Sequence, residues 1–114
     1  MEVQRFNGSP RYSEAVICGS MLYLSGLTSE ETGVAAQARD TLAQLEQLLE
    51  KYGSDKEHLV HATIYLRDIR SYDEFNAVWD PWVARGHAPT RACVEARLAE
   101  PGIDLEVVAV AALK

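Results

Sequence analysis

The chain has 114 residues, 47% hydrophobic and 25% charged, with a formal net charge of −6 at pH 7. That length suits one domain spanning residues 1–114, with a real core and little to spare. The acidic balance offers no basic footprint for nucleic acid, and no apolar run reaches the roughly 18 residues that cross a membrane.

Residues 3–6 read as a short first strand, broken by the turn formers Asn7-Gly8-Ser9-Pro10. Ala15-Val16-Ile17-Cys18 and Met21-Leu22-Tyr23-Leu24 flank Gly19-Ser20, the spacing of a two-residue hairpin. Ser25-Gly26 ends the second run. A glycine there lets another group approach the backbone closely, although a plain turn satisfies the same spacing. The polar loop 28–33 leads into the clearest helix, expected over 34–52. Ala38, Leu42, Leu45, Leu49 and Tyr52 recur there in steps of four and three, and Gly53 follows as the C-terminal cap.

Ser54-x-x-Glu57 has the spacing of a capping box. The next strand, 58–66, alternates Val60, Ala62, Ile64 and Leu66 with His61, Thr63 and Tyr65. His61 has no companion at a metal-ligand spacing and reads as a hydrogen-bonded structural histidine. A second box, Ser71-x-x-Glu74, opens a helix whose core stripe is Phe75, Val78, Trp79 and Trp82. Pro81 predicts a kink or an early end near Asp80. Asn76 lies beside the stripe.

In the strand expected over 91–98, alternation puts Arg91, Cys93 and Glu95 on one face and Ala92 and Val94 on the other. A guanidinium fork suits bidentate capture of a carboxylate; a surface arginine laying its stem over apolar neighbours fits the strand as well. Arg91 would favour the Cys93 thiolate and make that thiol reactive. After a turn at 99–102, the last strand, 103–113, sets Leu105, Val107, Ala109 and Ala111 against Asp104, Glu106, Val108 and Val110. Glu106, beside two valines, is either a solvated strand end or a functional carboxylate. A simple hairpin about Pro101-Gly102 does not bring Arg91 opposite Glu106.

The order β-β-β-α-β-α-β-β predicts an α+β two-layer sandwich, its sheet mostly antiparallel and both helices on one face. Tyr65, Val108 and Val110 make the other face partly apolar, and burial against copies of the same chain is the economical answer. Cys18 and Cys93 form no C-x-x-C pair and are expected as reduced thiols. With no signal-peptide pattern in residues 1–5, the expectation is a cytoplasmic protein. The common phosphate-loop, dinucleotide, zinc and hydrolase motifs are absent. His58, His61 and His87 are too scattered to suggest a metal site.

Arg91-Ala92-Cys93-Val94-Glu95, taken with Tyr12, Ser25-Gly26, Asn76 and Leu105-Glu106 in that order, resembles the RidA/YjgF family of enamine/imine deaminases. The resemblance runs from about residue 6 to 113, and residues 76–83 and 86–89 are most similar to a short-looped, YoaB-like branch. It implies a chorismate-mutase-like fold of six strands and two helices, assembled as a homotrimer with active sites between subunits. The implied reaction hydrolyses reactive 2-enamine and 2-imine carboxylates, such as 2-aminoacrylate and 2-iminopropanoate, to 2-keto acids and ammonia, with no cofactor or metal. The implied roles are carboxylate binding by Arg91, water activation by Glu106, and substrate contacts from Ser25, Gly26 and Cys93. Tyr12 and Asn76 would shape and close the cleft. Leu27, Trp79 and a shorter loop over 83–89 depart from the commoner pattern and bear on substrate range. The residues leave open a non-catalytic regulator that binds a small carboxylate such as a 2-keto acid, and a structural or chaperone-like role. A ribonuclease or translation inhibitor is disfavoured by the net charge.

Overall fold

The computed structural model describes residues 1–114. Strand alternation and helical periodicity resolve into β1 (Val3–Gly8), β2 (Ser13–Cys18), β3 (Met21–Leu24), α1 (Val34–Lys51), β4 (Leu59–Leu66), α2 (Tyr72–Trp82), β5 (Thr90–Glu95) and β6 (Leu105–Ala112). The six strands form one sheet in the order β1-β2-β3-β6-β4-β5. Every pairing is antiparallel except β4 with β5. This is the α+β sandwich that the pattern predicts.

The apolar stripe of α1 (Ala38, Leu42, Leu45 and Leu49) is buried with Phe75 and Trp79 of α2 against Leu22, Ala62, Ile64, Leu66, Leu105 and Val107 of the sheet. The opposite face of the sheet is half-exposed and partly apolar. There Tyr23 pairs with Val110, Thr63 with Val108 and Tyr65 with Glu106, and Tyr65 also with Val94. No helix is long and apolar enough to cross a membrane.

Several local expectations change. A register shift in β4 between Leu59 and His61 puts Leu59 in the core and leaves Val60 42% exposed. One extra residue reverses the inside–outside parity upstream of it. Ser54 does not cap: its buried hydroxyl donates to the Ala112 carbonyl at 2.6 Å, and Asp55 caps the short turn Lys56–His58 by accepting from the His58 N–H. Ser71 likewise makes no capping bond; Asp68 caps the turn Ile69–Ser71 that feeds α2. Pro81 does not stop α2, which runs to Trp82. In the last turn the proline removes only one donor, the one that would have reached the carbonyl of exposed Ala77.

The largest difference concerns the C-terminal pair. β5 ends at Glu95 rather than 98, and it does not form a hairpin with β6. β4 lies between them, parallel to β5 and antiparallel to β6. The Pro101-Gly102 turn therefore belongs to a connection that steps across a strand, and β6 reaches the middle of the sheet.

Candidate active site

Register decides which face each candidate occupies. Arg91 stands beside Ala62 and Cys93 beside Ile64, and both β4 partners point into the helix-covered core. Arg91 and Cys93 therefore lie on the helix side, at the outer strand of the sheet. Glu106 stands beside Tyr65, alternates with buried Leu105 and Val107, and lies on the open side. Within one chain the two charged candidates are on opposite faces.

Arg91 is held from above by α2. Its Nη1 donates to Asn76 Oδ1 at 2.9 Å and its Nη2 to Tyr72 Oη at 3.0 Å. The guanidinium carbon lies 5.3 Å from the centre of the Trp79 ring and 5.6 Å from that of Tyr72, distances at which a cation is attracted to an aromatic face. Tyr72, Asn76 and Trp79 are spaced i, i+4 and i+7, one face of a helix. Arg91 takes part in none of the chain's ion pairs. A planar, fixed cation with three N–H groups unspent is equipped to receive a carboxylate. Glu95, on the same face of β5, accepts from the Ile69 N–H at 3.0 Å and ties the α2 entry to this strand. Cys93 packs against the core rim. Burial raises its thiol pKa, and the opposing pull of Arg91 is smaller, so the reactive thiolate expected from sequence is not found.

The second cluster forms where β3 runs out. Leu27 and Val107 exchange backbone hydrogen bonds of 2.8 and 3.0 Å, which fixes Gly26 against β6. A methyl group on Gly26 would run into the Glu106 carboxylate; this close approach is what the glycine permits. Ser25 is anchored by its hydroxyl to the Ser13 carbonyl at 2.5 Å and by its N–H to the Glu14 carbonyl, so its side chain serves the turn. Tyr12, 65% exposed, joins Gly26 and Glu106 in lining an open cleft of about 680 Å³. The loop carrying Tyr12 is tied down by Glu14, which receives Tyr52 Oη, Asn7 Nδ2 and Lys51 Nζ. Those bonds, Tyr52's first, hold the Glu14 carboxyl below its ordinary range.

The candidates thus fall into two groups, Asn76–Arg91–Cys93 and Tyr12–Ser25–Gly26–Glu106. His61 stands apart from both: its ring nitrogens bond Thr90 Oγ1 at 2.8 Å and Thr63 Oγ1 at 2.9 Å, as a structural histidine should.

Two contributing residues escape the sequence reading. Tyr72 was legible in the i, i+4, i+7 spacing with Asn76 and Trp79. Gln37 is a fully buried amide on the core stripe of α1. It donates to the Glu31 and Gly102 carbonyls, each at 2.9 Å, and accepts from the Asp104 N–H at 2.8 Å. It thereby pins both loops that border the Glu106 cleft. Gln37→Leu should cost about 2–3 kcal/mol of stability, because it leaves several buried polar groups unpaired. Denaturant unfolding checks this, and a loss below about 0.5 kcal/mol would show that water replaces the amide.

The family model described as Endoribonuclease L-PSP matches residues 3–113. The RutC family protein YoaB of Escherichia coli K12 is 38% identical over 114 residues, covering 99% of this chain and all of that protein. The crystal structure of a YjgF family member from Neisseria meningitidis is 48% identical, covers 100% of this chain and 97% of its own, and superposes with a TM-score of 0.95. A YjgF/YER057c/UK114 family member from Mycobacterium tuberculosis is 28% identical, with coverage of 98% and 100% and a TM-score of 0.88.

Proposed function

The chain belongs to the endoribonuclease L-PSP family, which takes in the RutC and YjgF proteins it matches, and from that premise we propose that it is an enamine/imine deaminase. The observation that carries the reading is Arg91, held by three α2 side chains yet without an anionic partner. In this reading its free N–H groups bind the carboxylate of a 2-imine acid. Glu106 accepts a proton from a water molecule as that water adds to C2 of the iminium. Glu106 then returns that proton to the nitrogen of the tetrahedral adduct, the C–N bond breaks to release ammonia, and the hydroxyl proton passes to solvent as the carbonyl of the 2-keto acid forms. An iminium is already electrophilic, so positioning and charge complementarity supply most of what is needed and no cofactor is invoked. The Gly26 N–H, without a partner of its own, and the Cys93 backbone serve as polar contacts, while Tyr12 borders the Glu106 cleft and Asn76 steadies Arg91.

Opposite placement of Arg91 and Glu106 means that one substrate cannot touch both in a single chain. The reading therefore includes an oligomer, a homotrimer as the family resemblance implies, with the half-apolar open face packed on a neighbour and each site shared by two subunits. It treats 1–114 as one domain of a cytoplasmic enzyme. The ribonuclease suggested by the family's description finds little support in a chain with 17 acidic and 11 basic residues.

The test is to generate imines in situ from a panel of amino acids with an amino-acid oxidase and to trap what escapes with semicarbazide. Wild type should lower the trapped signal, and Glu106→Gln should do so at least about a hundredfold less well. A wild-type protein that never lowers the signal, for any amino acid, rules the deaminase out. Gly26→Ala should cut kcat/KM by about ten- to a hundredfold with little change in thermal midpoint, since the new methyl displaces the Glu106 carboxylate. Unchanged turnover in that variant would remove Glu106 from the mechanism.

A further inference from the structure

We infer that Tyr72 is a positioning residue for the substrate carboxylate, acting through Arg91; this rests on the deaminase reading, with Arg91 as the carboxylate binder. Tyr72 is 42% exposed, far more than a tyrosine serving the core, and its contacts with Arg91 are of two kinds. The hydroxyl accepts from Nη2 at 3.0 Å, and the ring lies 5.6 Å from the guanidinium carbon. Asn76 holds the other terminal nitrogen. With one proton of each terminal nitrogen engaged by α2, the plane and rotation of the guanidinium are set before any ligand arrives. Nε and one proton on each of Nη1 and Nη2 remain free. An arginine stem otherwise samples many rotamers, so this pre-arrangement removes ordering cost from carboxylate binding.

Tyr72 can do this because its own position is secured independently. It is the first residue of α2, just after the turn capped by Asp68, and the Glu95 carboxylate grips that turn at the Ile69 N–H. Arg91 and Glu95 leave the same face of β5, so the strand carries both the arginine and the strut that places the tyrosine over it. The chain Glu95–Ile69–Tyr72–Arg91 closes on itself. The phenol accepts from a cation, and phenylalanine at this position would keep the ring contact while giving that bond up.

The experiment compares Tyr72→Phe and Arg91→Ala with wild type in two measurements on the full-length protein. One is imine turnover; the other is equilibrium binding of pyruvate, a 2-keto acid that stands in for the product. Tyr72→Phe should raise KM and the pyruvate Kd about three- to tenfold, with kcat within about twofold and the thermal midpoint unmoved. Asn76→Ala should behave similarly. The double variant should differ from the sum of the two, because both partners hold one group. If Tyr72→Phe leaves KM and Kd unchanged while Arg91→Ala abolishes both activities, the positioning role is overturned and the deaminase reading survives. If Tyr72→Phe lowers kcat at constant KM, the phenol serves the chemical step and positioning is again overturned. If Arg91→Ala changes neither turnover nor pyruvate binding, the carboxylate reading fails first and the inference falls with it.

Discussion

Arg91→Ala is expected to lower kcat/KM for imine hydrolysis by about two to three orders of magnitude. Two hydrogen bonds from a cation to a carboxylate are worth roughly 3–5 kcal/mol together when the site is shielded from water. The loss belongs to the substrate and not to the fold. Arg91 sits on the outer strand of the sheet, only part-buried, and its partners Asn76 and Tyr72 can turn to solvent when it is removed. The thermal midpoint should therefore fall by only a few degrees, as for the loss of about 1 kcal/mol. Arg91→Lys should rescue little, because an ammonium cannot span Asn76 and Tyr72 while offering a fork to the ligand. Steady-state kinetics with imines generated in situ provides the check. Activity within about threefold of wild type in Arg91→Ala would remove the carboxylate-binding role.

The second large effect is a restoration. Arg91→Ala and Glu106→Gln should each be nearly inactive as pure proteins. Co-expressed, or mixed and refolded together, they should regain about one quarter of wild-type sites. A site shared by two neighbouring subunits needs an intact arginine from one and an intact glutamate from the other. In a random mixture each condition is met about half the time. The basis is the register: Arg91 beside Ala62 under the helices, Glu106 beside Tyr65 on the open face. Native mass spectrometry establishes that mixed assemblies have formed. Mixed assemblies without recovered turnover would mean that the two residues do not serve one substrate molecule.

What could be read from the residues alone follows from how local each signal is. The α1 stripe of Ala38, Leu42, Leu45 and Leu49 needs only its own 3.6-residue period, and all four are buried. The alternation of β6 is equally self-contained, and Leu105, Val107, Ala109 and Ala111 all face the core. The register shift at Leu59–His61 has no such signature, because Val60 looks as suitable for the core as Leu59. Serines at 54 and 71 have the spacing of capping boxes, but the Ser54 hydroxyl is spent on the distant Ala112 carbonyl and Ser71 makes no capping bond, while Asp55 and Asp68 cap the short turns beside them.

The site was legible as a set of residue types and illegible as a geometry. Alternation gives Arg91, Cys93 and Glu95 a common face; it does not say which side of the sheet that is. The answer comes from pairing with β4, a strand far away in sequence, and from the insertion of β4 between β5 and β6. The environment of Cys93 is nonlocal in the same way. The charge of Arg91 is visible two residues away, whereas the burial that outweighs it depends on the packed core.

That β6 follows every other strand in sequence and yet lies between β3 and β4 has a consequence for how the chain is made. As the chain emerges from a ribosome, β1–β3 can pair as a meander, and β4–α2–β5 can pair as a parallel unit. The two halves share no strand until residues 105–112 arrive, when Tyr23 meets Val110 on one side and Ile64 meets Val107 on the other. Until then β3 and β4 each present an unpaired edge, the surface on which nascent chains misassociate. Completion of the sheet is thus a late, long-range event, and a chain shortened by its last strand leaves the two halves of the sheet unjoined.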